Sequence, residues 1–266
     1  MSRDPLLLMT QVLLVSTVWM LGLWLIQRKH PIPSLADAGW CVGLIGAAAW
    51  YALNIEGHPA RRMLVTVMVG LYGLRLGGYI LLDRVIGRRE DPRYQTMRRR
   101  WGGQEPVILF AYFVLQAPAI VLFSLPPLFV MQNPRPGFSL WELLGMMIWA
   151  VAVTGEAVAD RQLAAFRRES WNKDRVCRAG LWRYSRHPNY FFEWLHWWSY
   201  VVMALALPAG NWWATLIGPV LMGWALIKVT GIPLTESQAL ASRGDDYRRY
   251  QETTSTFIPW PPRREE

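Results

Sequence analysis

Cysteine is nearly absent: Cys41 and Cys177 are the only two in 266 residues. Two isolated thiols build neither a disulfide framework nor a thiolate metal site, and both read as ordinary thiols. The four histidines, at 30, 58, 187 and 196, have no metal-ligand spacing, so no metal is expected. No G-x-G-x-x-G follows a strand pattern and no P-loop lysine motif is present, which removes Rossmann and P-loop nucleotide sites. No Ser, His and Asp arrangement points to acyl transfer. Acidic side chains are scarce, 19 against 28 Lys and Arg, for a net charge of +9. Such a surplus suits nucleic acid, but its placement argues otherwise. The basic residues fall between long apolar blocks, where orientation in a membrane accounts for them.

Those blocks are the main feature of the chain. Seven segments are long and apolar enough to cross a bilayer, at roughly 5–26, 36–54, 63–83, 107–130, 139–160, 190–208 and 212–232. The second is the weakest, with Asp37 at its start and Ala and Gly diluting it. The first is followed by the basic cluster QRKH and lacks a small-residue cleavage site, so a retained span is expected. With the N-terminus outside, the inward segments carry 23 Lys or Arg, counting Lys228 at the inner end of the last span, and the outward ones carry 4. This asymmetry places the C-terminus and the long basic segments inside. The expected fold is a single all-α transmembrane domain over residues 1–266, with a cofactor-binding part at 150–260.

Ionisable groups inside a bilayer cost at least ~2.5 kcal/mol each at its centre on insertion scales, so they need a reason. Three polar stripes stand out. Tyr72, Arg75, Tyr79 and Asp83 share a face of the third span. Glu156, Asp160 and Arg167 follow at i, i+4 and i+11 at the end of the fifth. Asn189, Glu193, His196 and Tyr200 repeat at helical spacing in the sixth. Each stripe taken alone is as readily a network holding helices together. Three together, next to a basic loop, favour a polar cavity. That loop, 161–187, carries eight Lys or Arg interleaved with Trp171, Trp182 and Tyr184. Arg in such density suits phosphate, which it grips through paired N–H donors. The other basic run, around Arg98, Arg99 and Arg100, is accounted for by inside-positive bias and anionic lipid.

The run Gly180-Leu-Trp-Arg-Tyr184-Ser-Arg186-His187-Pro188-Asn189-Tyr190-Phe-Phe-Glu193-Trp194 resembles the C-terminal signature of the steroid 5-alpha-reductase family. Thr235-Glu236, then Gly244-Asp-Asp-Tyr247-Arg-Arg-Tyr250 and Phe257-Ile-Pro259, look like that family's terminal block. The chain is most similar to a bacterial branch filed beside those reductases, and the match is strong over about residues 150–260. The resemblance implies seven membrane helices around an NADPH open to the cytoplasm. Asp160, Arg167, Arg175, Asn189 and Glu193 fall on its cofactor residues, and Glu156 stands where the family has an asparagine. Tyr72 and Arg75 match a tyrosine–arginine pair on the third helix, where the tyrosine helps protonate the substrate. The family's glutamine–glutamate pair on the second helix has no counterpart, Asp37 being the nearest acidic residue.

On this reading Arg167, Arg175, Arg178 and Arg186 hold phosphates, and Asn189 and Glu193 orient the amide end of NADPH. Tyr184, His187, Tyr190, Glu236, Tyr247 and Tyr250 complete the cofactor candidates. Tyr72, Arg75 and Asp37 serve a lipid-soluble substrate, with membrane lipids as the other partners and the bacterial inner membrane as the expected location. Arg186-His187-Pro188-Asn189-Tyr190 also resembles the motif of isoprenylcysteine and phospholipid methyltransferases. That resemblance implies S-adenosylmethionine against His187, Tyr190 and Glu236, although only one of the two expected glutamates is present. A lipid-binding or scaffold protein with structural polar networks is the third reading.

Overall fold

The computed structural model describes residues 4–87, 94, 102–172, 174–208 and 210–263. Among them every regular element is helical and no strand occurs. The basic run at Arg98, Arg99 and Arg100 lies outside the described residues. The helices are α1 (Pro5–Lys29), α2 (Leu35–Asn54), α3 (Pro59–Ile80), α4 (Glu105–Met131), α5 (Leu140–Arg168), α6 (Pro188–Ala204), α7 (Ile217–Trp224) and α8 (Ile232–Thr253). Single π-helical turns extend α3 over Leu81–Ile86 and α7 over Ala225–Val229.

Six segments are long and apolar enough to cross a membrane: α1, α2, α3 with its π turn, α4 with the turn before it, α5, and Asn211–Thr253. The chain is an all-α integral membrane protein. Residues 190–208, read from sequence as a span, carry the 17-residue helix α6 and a turn, and this segment is not among the six. Leu14, Val15, Val18, Leu53, Leu74 and Val107 are among the large apolar side chains left exposed, a pattern that suits lipid rather than water.

The chain divides into two compact units. The first comprises residues 1–145 and 200–218, the second 146–199 and 219–266. In the first, α2 packs against α1, α3 and α4. Met20, Leu23, Ala36, Leu109 and Phe113 form its buried cluster. Gly73 lets α3 approach the Cys41 carbonyl and the Ile45 side chain, where a Cβ would collide with Ile45.

One charged pair ties this unit together. Arg61 and Glu142 are each about 1% exposed and hydrogen-bond to each other. Arg61 also donates to the carbonyls of Asn133 (2.6 Å), Arg135 (2.9 Å) and Gly137 (2.7 Å). Glu142 accepts from the Ser139 amide at 2.8 Å, while the Ser139 hydroxyl faces the Glu142 amide at 3.4 Å. This is a capping box at the start of α5, so one carboxylate satisfies both a helix end and a buried cation.

Candidate functional site

In the first unit the stripe on α3 begins with Tyr72, which is 0% exposed, and continues through half-buried Arg75, Tyr79 and Asp83. Asp37 accepts a hydrogen bond from the Tyr112 hydroxyl at 2.9 Å. Sequence reasoning had not singled out Tyr112.

In the second unit the signature residues gather around the junction of α5, α6 and α8. Asn189 Nδ2 donates to Asp160 Oδ1 at 3.2 Å, joining the first turn of α6 to α5. Both are partly exposed, whereas Glu156 and Glu193 are buried. Glu193 accepts from Trp197 Nε1 at 3.3 Å. The approach to α6 is set by the turn at 180–183. Gly180 has φ +59°, and a Cβ there would lie 2.3 Å from the Gln162 amide, which accepts from Leu181 N at 2.9 Å. The Trp182 indole donates to the Ala159 carbonyl at 3.0 Å. Gly180-Leu-Trp is thus the segment that fixes Asn189 beside Asp160.

Arg186 has a different surrounding from the phosphate expected of it. Its guanidinium donates to Glu236 Oε1 (2.7 Å), to the carbonyls of Gln251 (2.9 Å) and Thr254 (2.7 Å), and to Thr256 Oγ1 (2.8 Å). Its amide donates to the Ser255 carbonyl at 2.8 Å. Ser185 Oγ donates to the Phe257 carbonyl at 2.8 Å, and Trp260 N to the Tyr184 carbonyl at 2.9 Å. The Tyr250 hydroxyl donates to the carbonyl of Trp182 and, at 3.2 Å, lies on that of Ser185. Arg186 is therefore the clamp that fastens the C-terminal segment onto the loop before α6.

Glu236 is the hub of the same network. It also accepts from Gln251 Nε2 at 2.9 Å and Tyr247 at 3.4 Å, and it faces His187 Nε2 at 3.2 Å. The His187 ring stacks on Tyr190 with centroids 5.3 Å apart. Burial pushes the His187 pKa below its ordinary 6.5. Glu236 opposes that shift and the Arg186 charge adds to it. A depressed histidine adds stability that is complete above its unfolded pKa and lost as pH falls below it, because only the unfolded chain then takes the proton. Lowering the pH from 7.5 to 5.5 is thus expected to reduce thermal stability in detergent, by at most about 1.4 kcal/mol per pH unit below 6.5. His187→Gln should flatten that part of the profile. A profile identical to wild type contradicts the assignment.

The basic loop lies against α8. Arg178 pairs with Asp246 at 2.8 Å and sits 5.8 Å over the Tyr250 ring. Asp246 also accepts from Val176 N at 3.2 Å. Arg243 Nε donates to the Arg175 carbonyl at 2.9 Å, next to Gly244, where φ is +52° and α8 kinks. Ala239, Tyr247 and Tyr250 form the apolar floor beneath Val176. Arg167, Arg175 and Tyr184 are exposed. The second unit accordingly presents an amide–carboxylate pair, Asn189 and Asp160, and exposed guanidiniums on a loop held by α8.

Neither the curated proteins nor the solved structures contain a match to this chain. Residues 23–254 match the family described as "Protein of unknown function (DUF1295)", and the chain belongs to that family.

Proposed function

We propose that this protein is an NADPH-dependent reductase of the bacterial inner membrane, related to the steroid 5-alpha-reductases and acting on an activated carbon–carbon double bond of a lipid-soluble substrate. The observation that carries the reading is the Asn189–Asp160 hydrogen bond. Those two residues fall on the cofactor positions of the reductase signature from segments 29 residues apart, and here they meet. The donor set suits the cofactor. An amide and a carboxylate together offer both donors and acceptors to a carboxamide or a ribose. Exposed Arg167, Arg175 and Arg178 supply the planar donors that phosphates require.

Bound NADPH supplies a hydride. The chain's own residues do the rest. Asn189 and Asp160 orient the dinucleotide, and the arginines hold its phosphates on the cytoplasmic side. Tyr72, with Arg75 close along α3, holds a hydrogen-bond donor toward the oxygen on which negative charge develops, and passes its proton to the product. Asp37, bonded to Tyr112, receives the polar end of the substrate. Asp160→Ala and Asn189→Ala are each expected to weaken NADPH binding about tenfold or more, measured by quenching of tryptophan fluorescence. Unaltered affinity in both contradicts the reading. Tyr72→Phe should keep NADPH affinity while turnover falls by about a hundredfold or more. Full turnover in Tyr72→Phe removes the tyrosine from the mechanism.

A methyltransferase reading has one observation in its favour: His187, Tyr190 and Glu236 lie together. A sulfonium cofactor needs an uncompensated anion, however, and Glu236 already faces the Arg186 guanidinium at 2.7 Å. That reading also leaves Asp160 and Arg167 without a role.

A further inference from the structure

The segment after α8 is a strap with two faces. The Arg263 amide donates to the Thr253 carbonyl at 2.9 Å, which joins its two ends. Between them the strap runs along residues 184–186. The Arg186 amide donates to the Ser255 carbonyl, Ser185 Oγ to the Phe257 carbonyl, and the Trp260 amide to the Tyr184 carbonyl. All three bonds hold strap backbone, so they fix its path and leave its side chains to follow. Phe257 turns inward, with its ring centroid 6.0 Å from that of Phe191 and 5.6 Å from that of Trp194, both on α6. Ile258 and Trp260 turn outward and are 58% and 70% exposed. Pro259, Pro261 and Pro262 lock φ around them, which stiffens the segment that presents them.

Two large apolar side chains held away from the core on a fastened loop call for a cover. The surroundings say which. Trp194, against which Phe257 rests, donates from Nε1 to the Pro219 carbonyl of α7 at 3.0 Å, and a Cβ on Gly223 would lie 3.0 Å from the same nitrogen. The Trp194 ring thus bridges Phe257 and α7. That helix lies in the membrane-crossing segment Asn211–Thr253, and its Val220 and Trp224 are exposed as lipid-facing side chains are. On its other side the strap meets charge. Arg183 precedes Tyr184, Arg263 closes the loop, and both are exposed. An apolar tip with an indole, set between a lipid-facing helix and guanidiniums, matches the layer where Trp and Arg collect at a membrane surface.

We propose that Ile258 and Trp260 enter the headgroup layer of the bilayer, so that the strap is a membrane-surface anchor in addition to the spans. Its partner is lipid. The anchor stands or falls independently of the reductase reading, because none of its contacts involves a cofactor residue's side chain except the Ser185–Arg186 clamp that holds the strap in place.

The test uses the full-length protein in vesicles of phosphatidylcholine and phosphatidylglycerol, with Trp260→Cys carrying a fluorescent label. Wild type treated in the same way gives the blank for the two buried native thiols, Cys41 and Cys177. Asp245→Cys, at an exposed charged position of α8, is the water reference, and Trp224→Cys on α7 is the lipid reference. Two quenchers are compared: iodide on both sides of the membrane, and lipid with a nitroxide near the head of its acyl chain. The label at 260 should be quenched by the lipid nitroxide, as the one at 224 is, and far less by iodide than the one at 245. Adding Ile258→Asp to the labelled protein should lift the tip, so that lipid quenching is lost and iodide quenching returns. Ile258→Cys gives a second reporter with Trp260 in place, and melting temperatures in detergent serve as folding controls. Iodide quenching at 260 equal to that at 245, with none from lipid, puts the strap in water and overturns the proposal. Protection from both quenchers overturns it as well and gives the tip to a protein contact, with energy transfer between differently labelled copies showing whether that contact is a second copy. Lipid quenching that survives Ile258→Asp removes Ile258 from the anchor.

Discussion

Arg186→Ala is expected to release the C-terminal segment and to cost about 3–5 kcal/mol, the range for removing one partner of a buried charged pair. The wild-type guanidinium satisfies two carbonyls, a hydroxyl and the Glu236 carboxylate at once. Its removal leaves Glu236 half-buried without its strongest counter-charge, and frees the carbonyls of Gln251 and Thr254. Limited proteolysis should then cut after Thr253, where wild type resists, and the melting temperature in detergent should fall. Arg186→Lys should recover little, since a single ammonium cannot reach Glu236, Gln251, Thr254 and Thr256 together. A protease-resistant tail in Arg186→Ala contradicts the clamp. A second consequence separates the clamp from a direct cofactor contact. Truncation after Thr253 should weaken NADPH binding much as Arg186→Ala does, although it leaves Arg186 in place.

The second large effect is expected at Arg61. Arg61→Ala leaves Glu142 charged and about 1% exposed, and strips donors from the carbonyls of Asn133, Arg135 and Gly137. A loss of about 3–5 kcal/mol is expected, read as a lowered melting temperature and poor recovery from membranes. Buried ion pairs are often replaced by apolar pairs without loss, but here the double variant Arg61→Leu with Glu142→Leu should remain destabilised. Three carbonyls and the Ser139 cap lose their partners whatever fills the space. A double variant as stable as wild type would show that the pair contributes little.

How much of this could be read from the sequence differs from element to element. The spans of α1 to α5 follow from length and apolarity, because in lipid a single continuous apolar segment of about 20 residues satisfies its own backbone only as a helix. The sixth and seventh were harder. Apolarity continues through 190–208, but the helix stops at Ala204, and after Gly231 the chain starts the separate polar helix α8. Hydropathy averages over such breaks. In the site, Asn189 and Asp160 were legible as members of polar stripes in apolar helices, where every polar side chain needs a reason. Arg186 was legible as important, but as a phosphate ligand. Two of its four acceptors are backbone carbonyls, which carry no sequence signal. Glu142 was missed although Ser139-x-x-Glu142 is a recognisable helix-start pattern, because it lies beside an apolar run that draws the eye.

The proposed reductase function depends on the Asp160–Asn189 pair accepting a phosphorylated dinucleotide. The most direct measurement is thermal melting of the purified, detergent-solubilised protein with NADPH or S-adenosylmethionine. A ligand at about a hundred times its dissociation constant adds about 2.7 kcal/mol to the folded state. The account predicts stabilisation of that size by NADPH, none by S-adenosylmethionine, and at most about half of the NADPH effect in Asp160→Ala. Stabilisation by S-adenosylmethionine alone, or indifference to both, contradicts it.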